Sequence, residues 1–104
     1  MGGQPALEFA GLLRQLRAEA GLTQEELAEA AGLSTRSVSD LERGINRTAR
    51  KDTAVLLGGA LGLAEPVRAL FVAAARGLAP AAEVLGAPRL WLRLSFAADR
   101  LSAL

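Results

Sequence analysis

Two helix-starting caps stand close together in the first half of this sequence, with a glycine between them, and that spacing constrains the fold more than any other feature. Thr23-Gln24-Glu25-Glu26 has the spacing of a capping box, in which the threonine hydroxyl and the glutamate three residues on each satisfy a backbone N–H left without a partner. Gly32 then ends that helix, and Ser34 caps another two residues later. Two short helices joined by a three-residue turn must cross at a steep angle. The residue at the crossing has to be small, and Ala28 occupies it. The turn needs a residue that tolerates positive φ, which Gly32 supplies. The shared inner side needs apolar residues, and Leu27, Ala31, Leu33, Val38 and Leu41 fall there.

The flanking sequence predicts more helices around this pair. Phe9, Leu12, Leu13, Leu16 and Ala20 recur at helical spacing, giving a first helix over about 6–20 with Gly21 as its stop. The third helix runs over about 35–43, with Gly44 after it. A polar, basic loop follows, Asn46-Arg47-Thr48-Ala49-Arg50. A fourth helix starts at Lys51 or Asp52 and continues to Leu61, with Val55, Leu56 and Ala60 assigned inward. Gly58-Gly59 inside it is unusual, since each glycine costs up to about 1 kcal/mol relative to alanine. Pro66 suits the first turn of a fifth helix that carries Val67, Leu70, Phe71 and Ala74 inward as far as Arg76. Residues 78–87 hold Pro80 and Gly86 and read as a linker with at most a short helical turn. A sixth, amphipathic helix is expected over 88–104. The domain division is therefore 6–77 for the main domain, 78–87 for the linker and 88–104 for the C-terminal helix.

Composition narrows the function classes. Hydrophobic residues make up 51% of the 104, mostly Ala and Leu, and aromatic residues only 4%. Strand-forming residues never alternate over a useful run, so the class is all-α. With no cysteine and no histidine, thiol chemistry, Cys/His zinc sites and histidine-based triads are excluded. No phosphate loop, nucleophile elbow, dinucleotide fingerprint or metal-ligand cluster occurs, so neither an enzyme nor a cofactor is expected. The N-terminus lacks the pattern of a signal peptide, and no apolar stretch reaches the length of a membrane span. A cytoplasmic protein is the expectation.

Net charge is only +1, but residues 34–51 carry Arg36, Arg43, Arg47, Arg50 and Lys51 against Asp40 and Glu42. That local excess of three positive charges is where a polyanion would bind.

With these residues in place, the chain resembles the lambda-repressor-like (Xre/Cro) helix-turn-helix family over residues 9–76. The resemblance rests on FAGLLRQLRAEAGLTQEELAEAAGLSTRSVSDLERG and, further on, RKDTAVLLGGALGL. The segment RTARKDTAVLLGGALGLAEPVRALFVAAARG is also similar to N-terminal domains of large actinobacterial regulators. The resemblance implies a five-helix DNA-binding domain acting in transcriptional regulation, here with an additional C-terminal helix. By the same resemblance Gln24 clamps a phosphate and braces the first base-reading residue. Ser34, Thr35, Arg36 and Asp40 occupy outward positions of the recognition helix, with Ser39 a further base-facing candidate. Arg43, Asn46 and Arg47 meet the sugar-phosphate backbone, and Arg17 and Glu42 form a structural ion pair between the first and third helices. Arg50 joins the backbone set through its charge and its place in the loop.

The chemistry agrees with the resemblance. A recognition helix enters the major groove with its N-terminal residues nearest the bases. An arginine such as Arg36 can contact guanine O6 and N7 together, and serine and threonine are permissive partners. Asp40 would be repelled by phosphates unless it accepts from cytosine N4 or pairs with Arg36 or Arg43, and pairing is the expectation.

Two other readings compete. A helix-turn-helix can serve as a protein-interaction module, but its third helix should then show apolar outward residues, where Thr35, Arg36, Ser39 and Arg43 are polar. The chain can also be the DNA-binding part of a larger regulator. Glu25, Glu26 and Glu29 form either a solvated acidic face or a contact for a protein partner. In the tail, Leu90, Leu94, Ala97, Leu101 and Leu104 recur at spacings of four and three, a coiled-coil-like seam, with Trp91 and Phe96 as packing residues. That seam either folds back on the domain or pairs with a second subunit, and a homodimer is expected.

Overall fold

The computed structural model describes residues 8–87. Among the described residues six α-helices follow one another: α1 (Phe9–Glu19), α2 (Gln24–Ala31), α3 (Thr35–Glu42), α4 (Lys51–Ala60), α5 (Val67–Ala75) and α6 (Ala81–Gly86). No strand occurs among the described residues. The helix-turn-helix is α2 and α3, and α1 packs across α3 while α4 packs on α2. Beyond it, α4 lies against α5, and α6 bridges α5 and α1.

The local signals act as the sequence suggests. Thr23 Oγ1 accepts from the Glu26 N–H at 3.0 Å, and Glu26 Oε1 accepts from the Thr23 N–H at 2.8 Å. Gly32 adopts φ 71°, in the left-handed region, and lets the Leu33 N–H donate back to the Ala28 carbonyl at 2.8 Å. Ser34 Oγ accepts from the Ser37 N–H at 3.1 Å and starts α3. Each cap removes an orphan donor worth about 1 kcal/mol.

One core joins the helices. Leu12, Leu13 and Leu16 of α1 meet Leu27, Ala28 and Ala31 of α2 and Val38 and Leu41 of α3. Phe9 and Phe71 bring α1 to α5, with ring centroids 5.4 Å apart and planes inclined by 54°, a tilted pairing favoured by the ring quadrupoles.

Two expectations need correcting. In α4 the inward residues are Ala54, Leu57 and Gly58, followed by Leu61, while Val55 and Leu56 are each 46% exposed. Ala60 is only half-buried. The reason is how closely α5 approaches. A Cβ on Gly58 would stand 3.1 Å from Arg68 Cγ and 3.5 Å from Phe71 Cδ2. The face that packs is thus the one with the smallest side chains, and hydrophobicity alone selects the wrong side. The second correction concerns residues 78–87. Pro80 starts α6, and Ala81 and Val84 are buried in the common core, so this stretch is part of the packed unit rather than a linker. Leu70, assigned inward, is half-buried at the edge of that core. The helix expected over 88–104, with Trp91 and Phe96, lies outside the described residues.

Candidate nucleic-acid interface

The outward side of α3 follows from its inward side. Burying Val38, Leu41 and Glu42 turns Thr35, Arg36 and Arg43 to solvent and leaves Ser39 and Asp40 half-buried. The Arg36 side chain is 89% exposed. It stands near Asp40, with Nε 3.8 Å from Oδ2, too long for a hydrogen bond but close enough to offset the carboxylate. Asp40 therefore has the partner expected for it. Ser34 is placed differently, because its hydroxyl is engaged by the Ser37 N–H and lies 2.9 Å from Ser37 Oγ. It acts first as the cap of α3.

Behind this surface sits a polar anchor. Glu42 is 1% exposed, and a buried carboxylate is costly unless paired and hydrogen-bonded. Arg17 meets it with two parallel bonds, Nε to Oε2 at 2.6 Å and Nη2 to Oε1 at 2.9 Å. The third guanidinium nitrogen of Arg17 donates to the Leu22 carbonyl at 2.9 Å. The hydrogen bond with Glu42, opposed by partial burial and helped by the carboxylate's charge, raises the Arg17 pKa above its already high ordinary value. Gln24 Nε2 adds a donor to Glu42 Oε1 at 3.0 Å, and Arg14 Nη1 donates to the Glu42 carbonyl at 3.0 Å. One of the two amide hydrogens of Gln24 is thereby committed to the protein, which holds the amide at the start of α2. Sequence reasoning foresees the Arg17–Glu42 pair. From sequence Gln24 is expected at a phosphate and against the first base-reading residue, and Arg14 has no assigned role; their hydrogen bonds to Glu42, 18 and 28 positions away, are seen only in the fold.

After α3 the chain turns through residues 43–50. The Ile45 N–H donates to the Asp40 carbonyl at 3.0 Å, and the Ala49 N–H donates to the Ala75 carbonyl at 2.8 Å, which ties the loop to the end of α5. Arg43, Asn46, Arg47 and Arg50 lie along it, with Asn46, Arg47 and Arg50 exposed and Arg43 opening the turn. Between α3, this loop and the start of α4 runs a groove of about 300 Å³, bordered by Ser37, Asp40, Asn46, Thr48, Arg50 and Thr53. Of the residues singled out from sequence, the groove brings together Asp40, Asn46 and Arg50. Arg36 stands apart on α3, and Arg47 faces a different concavity. Ser37, Thr48 and Thr53 border the groove unforeseen, and no sequence signal marks them beyond their polarity. The groove also opens on the first turn of α4, whose N-cap, Arg50, makes no side-chain capping bond. Free N–H groups at a helix N-terminus favour an anion.

No group of acidic residues that could hold a metal ion occurs among the described residues, and no described helix is long and apolar enough to cross a membrane.

A short helix crossed by a second, polar outward residues on the second, and a basic loop after it define the helix-turn-helix class of DNA-binding domains. The family model described as helix-turn-helix matches residues 13–66, just over half of the chain. The protein belongs to this family, in its lambda-repressor-like (Xre) form. A comparison with curated proteins finds no match.

Proposed function

We propose that this protein binds double-stranded DNA in a sequence-specific manner and regulates transcription. Helix α3 lies in the major groove, and the loop 43–50 follows the sugar-phosphate backbone. The observation that carries this reading is the pairing of a solvent-facing, polar α3 with the groove beside it. Thr35, Arg36, Ser39 and Asp40 face the bases, and Ser34 reaches them only as far as its capping bond allows. Gln24, Arg43, Asn46, Arg47 and Arg50 meet phosphates, with Ser37, Thr48 and Thr53 as further polar contacts along the groove. The buried Glu42 adds to this surface by what it removes. Its charge is matched within the fold by Arg17, so the outward field of the segment is set by Arg36, Arg43, Arg47, Arg50 and Lys51 against Asp40. A protein-interaction module is the weaker reading, because among the described residues the large exposed hydrophobic ones are Ile45, Val55, Leu56 and Leu78, none of them on α3.

A single domain of this kind reads one half-site, and a two-fold dimer reads a palindrome with half-sites about one helical turn apart. The protein therefore works as a homodimer in the cytoplasm, joined through the heptad-like seam of 88–104. Glu25, Glu26 and Glu29, on α2, are the acidic surface left for a protein partner. The reading is tested by selecting bound sequences from a random duplex pool at two salt concentrations. Enrichment of one motif at both supports it, and a bound pool with no motif contradicts it.

A further inference from the structure

A second concavity, of about 250 Å³, lies where the start of α1, the loop after α3, the end of α5 and the start of α6 meet. Its apolar lining includes Phe9, Ala74 and Ala81, each buried, and its polar lining is Glu8, Asn46 and Arg47. A cavity of ~150 Å³ lined by apolar side chains accepts a benzene ring, whereas pockets for drug-sized ligands start at ~300 Å³. The size is therefore that of a small molecule with a ring or a short branched chain. The polar lining limits its charge. Arg47 offers a planar fork of donors that suits a carboxylate, and the Asn46 amide stands next to it in sequence. Glu8 is the N-cap of α1 and makes no side-chain capping bond. Its carboxylate balances the charge of Arg47 in the lining, so a ligand carrying more than one negative charge is disfavoured.

We propose that this cavity binds a small apolar monocarboxylate. The carboxylate meets Arg47 and Asn46, and the apolar body rests on Phe9, Ala74 and Ala81. The regulatory consequence rests on the DNA-binding reading above: Arg47 and Asn46 also belong to the backbone-contacting loop, so ligand and DNA compete for the same two side chains. The bond from the Ala49 N–H to the Ala75 carbonyl fixes the loop to α5, one wall of the cavity, so an occupant acts on the loop directly.

The test uses the full chain, nitrogen-labelled, and phenylacetate as the probe. Titration without DNA should give saturable amide shifts around Phe9, Asn46, Arg47 and Ala81. The neutral analogue phenethyl alcohol should bind about tenfold more weakly, the loss expected for one charge-assisted contact. R47Q should bring phenylacetate down to the same level, and A79L, at a partly exposed position in the lining, should block both compounds while the remaining amide spectrum stays native. Absence of saturable shifts, shifts confined to another face, or equal binding of acid and alcohol overturns the site. Phenylacetate should then lower duplex affinity for the natural protein and leave that of A79L unchanged. If phenylacetate saturates the cavity and duplex affinity does not move, the competition is overturned. A chain that binds no duplex even without phenylacetate overturns the DNA reading, and the titration without DNA still judges the site.

Discussion

Three donors converge on the carboxylate of Glu42, two from Arg17 and one from Gln24, and this allows a charge to sit at 1% exposure in the core. Removing the carboxylate leaves the Arg17 guanidinium uncompensated and the Gln24 amide without its acceptor. E42A should therefore cost about 3 kcal/mol in urea unfolding, at the lower end for a broken buried pair because Arg17 still reaches water. The folded fraction should keep DNA affinity within a few-fold. A variant of unchanged stability that has lost binding would contradict the structural role. On the alkaline side the sign is set by Arg17. Its pKa is raised in the folded protein, so the pair's contribution is complete below the unfolded value and is lost only as pH rises through the folded one. Stability from this pair should accordingly stay constant while lysines lose their protons, near pH ~10.4. In R17K the same contribution should fall away in that range, and urea midpoints of both proteins at neutral and alkaline pH check it.

Among the elements, α2, α3 and the turn between them are legible from sequence because their signals are local. A capping box, a glycine in the left-handed region and a serine cap each act within a few residues. α4 is less legible. Its packing face is chosen by the approach of α5, and Gly58 and Ala54 carry too little hydrophobic weight to announce it against Val55 and Leu56. The same holds for α6, where Pro80 and Gly86 read as punctuation while Ala81 and Val84 are core residues. The loop 43–50 is legible in its charge but not in its anchoring, since the Ala49–Ala75 bond spans separate elements. If this loop lies on the DNA backbone, R43A or R50A should weaken binding to all duplexes alike. Each should also lower the slope of log affinity against log salt by ~0.9, because one phosphate fewer is neutralised. Fluorescence anisotropy over a salt series checks this. An unchanged slope in both variants would remove the loop from the backbone.

At the scale of the whole molecule, the described residues form one core from α1 to α6, and the proposed dimer seam lies beyond it at 88–104. If the seam joins two subunits, the full chain should sediment as a dimer, and truncation after Gly86 should leave a folded monomer with weaker affinity for a palindromic site. A truncated protein that stays dimeric would move the interface to another surface, and the exposed Val55 and Leu56 of α4 are the first to examine. In the proposed complex α3 reads bases while the loop holds the backbone. The most direct test of this division of roles is anisotropy titration of the natural protein and R36A against the selected duplex and a scrambled one across a salt series. The natural protein should bind the selected duplex more tightly at every salt concentration. R36A should lose ~1–3 kcal/mol on that duplex alone, with the salt slope unchanged. An equal loss on both duplexes, or no preference by the natural protein, would contradict that division.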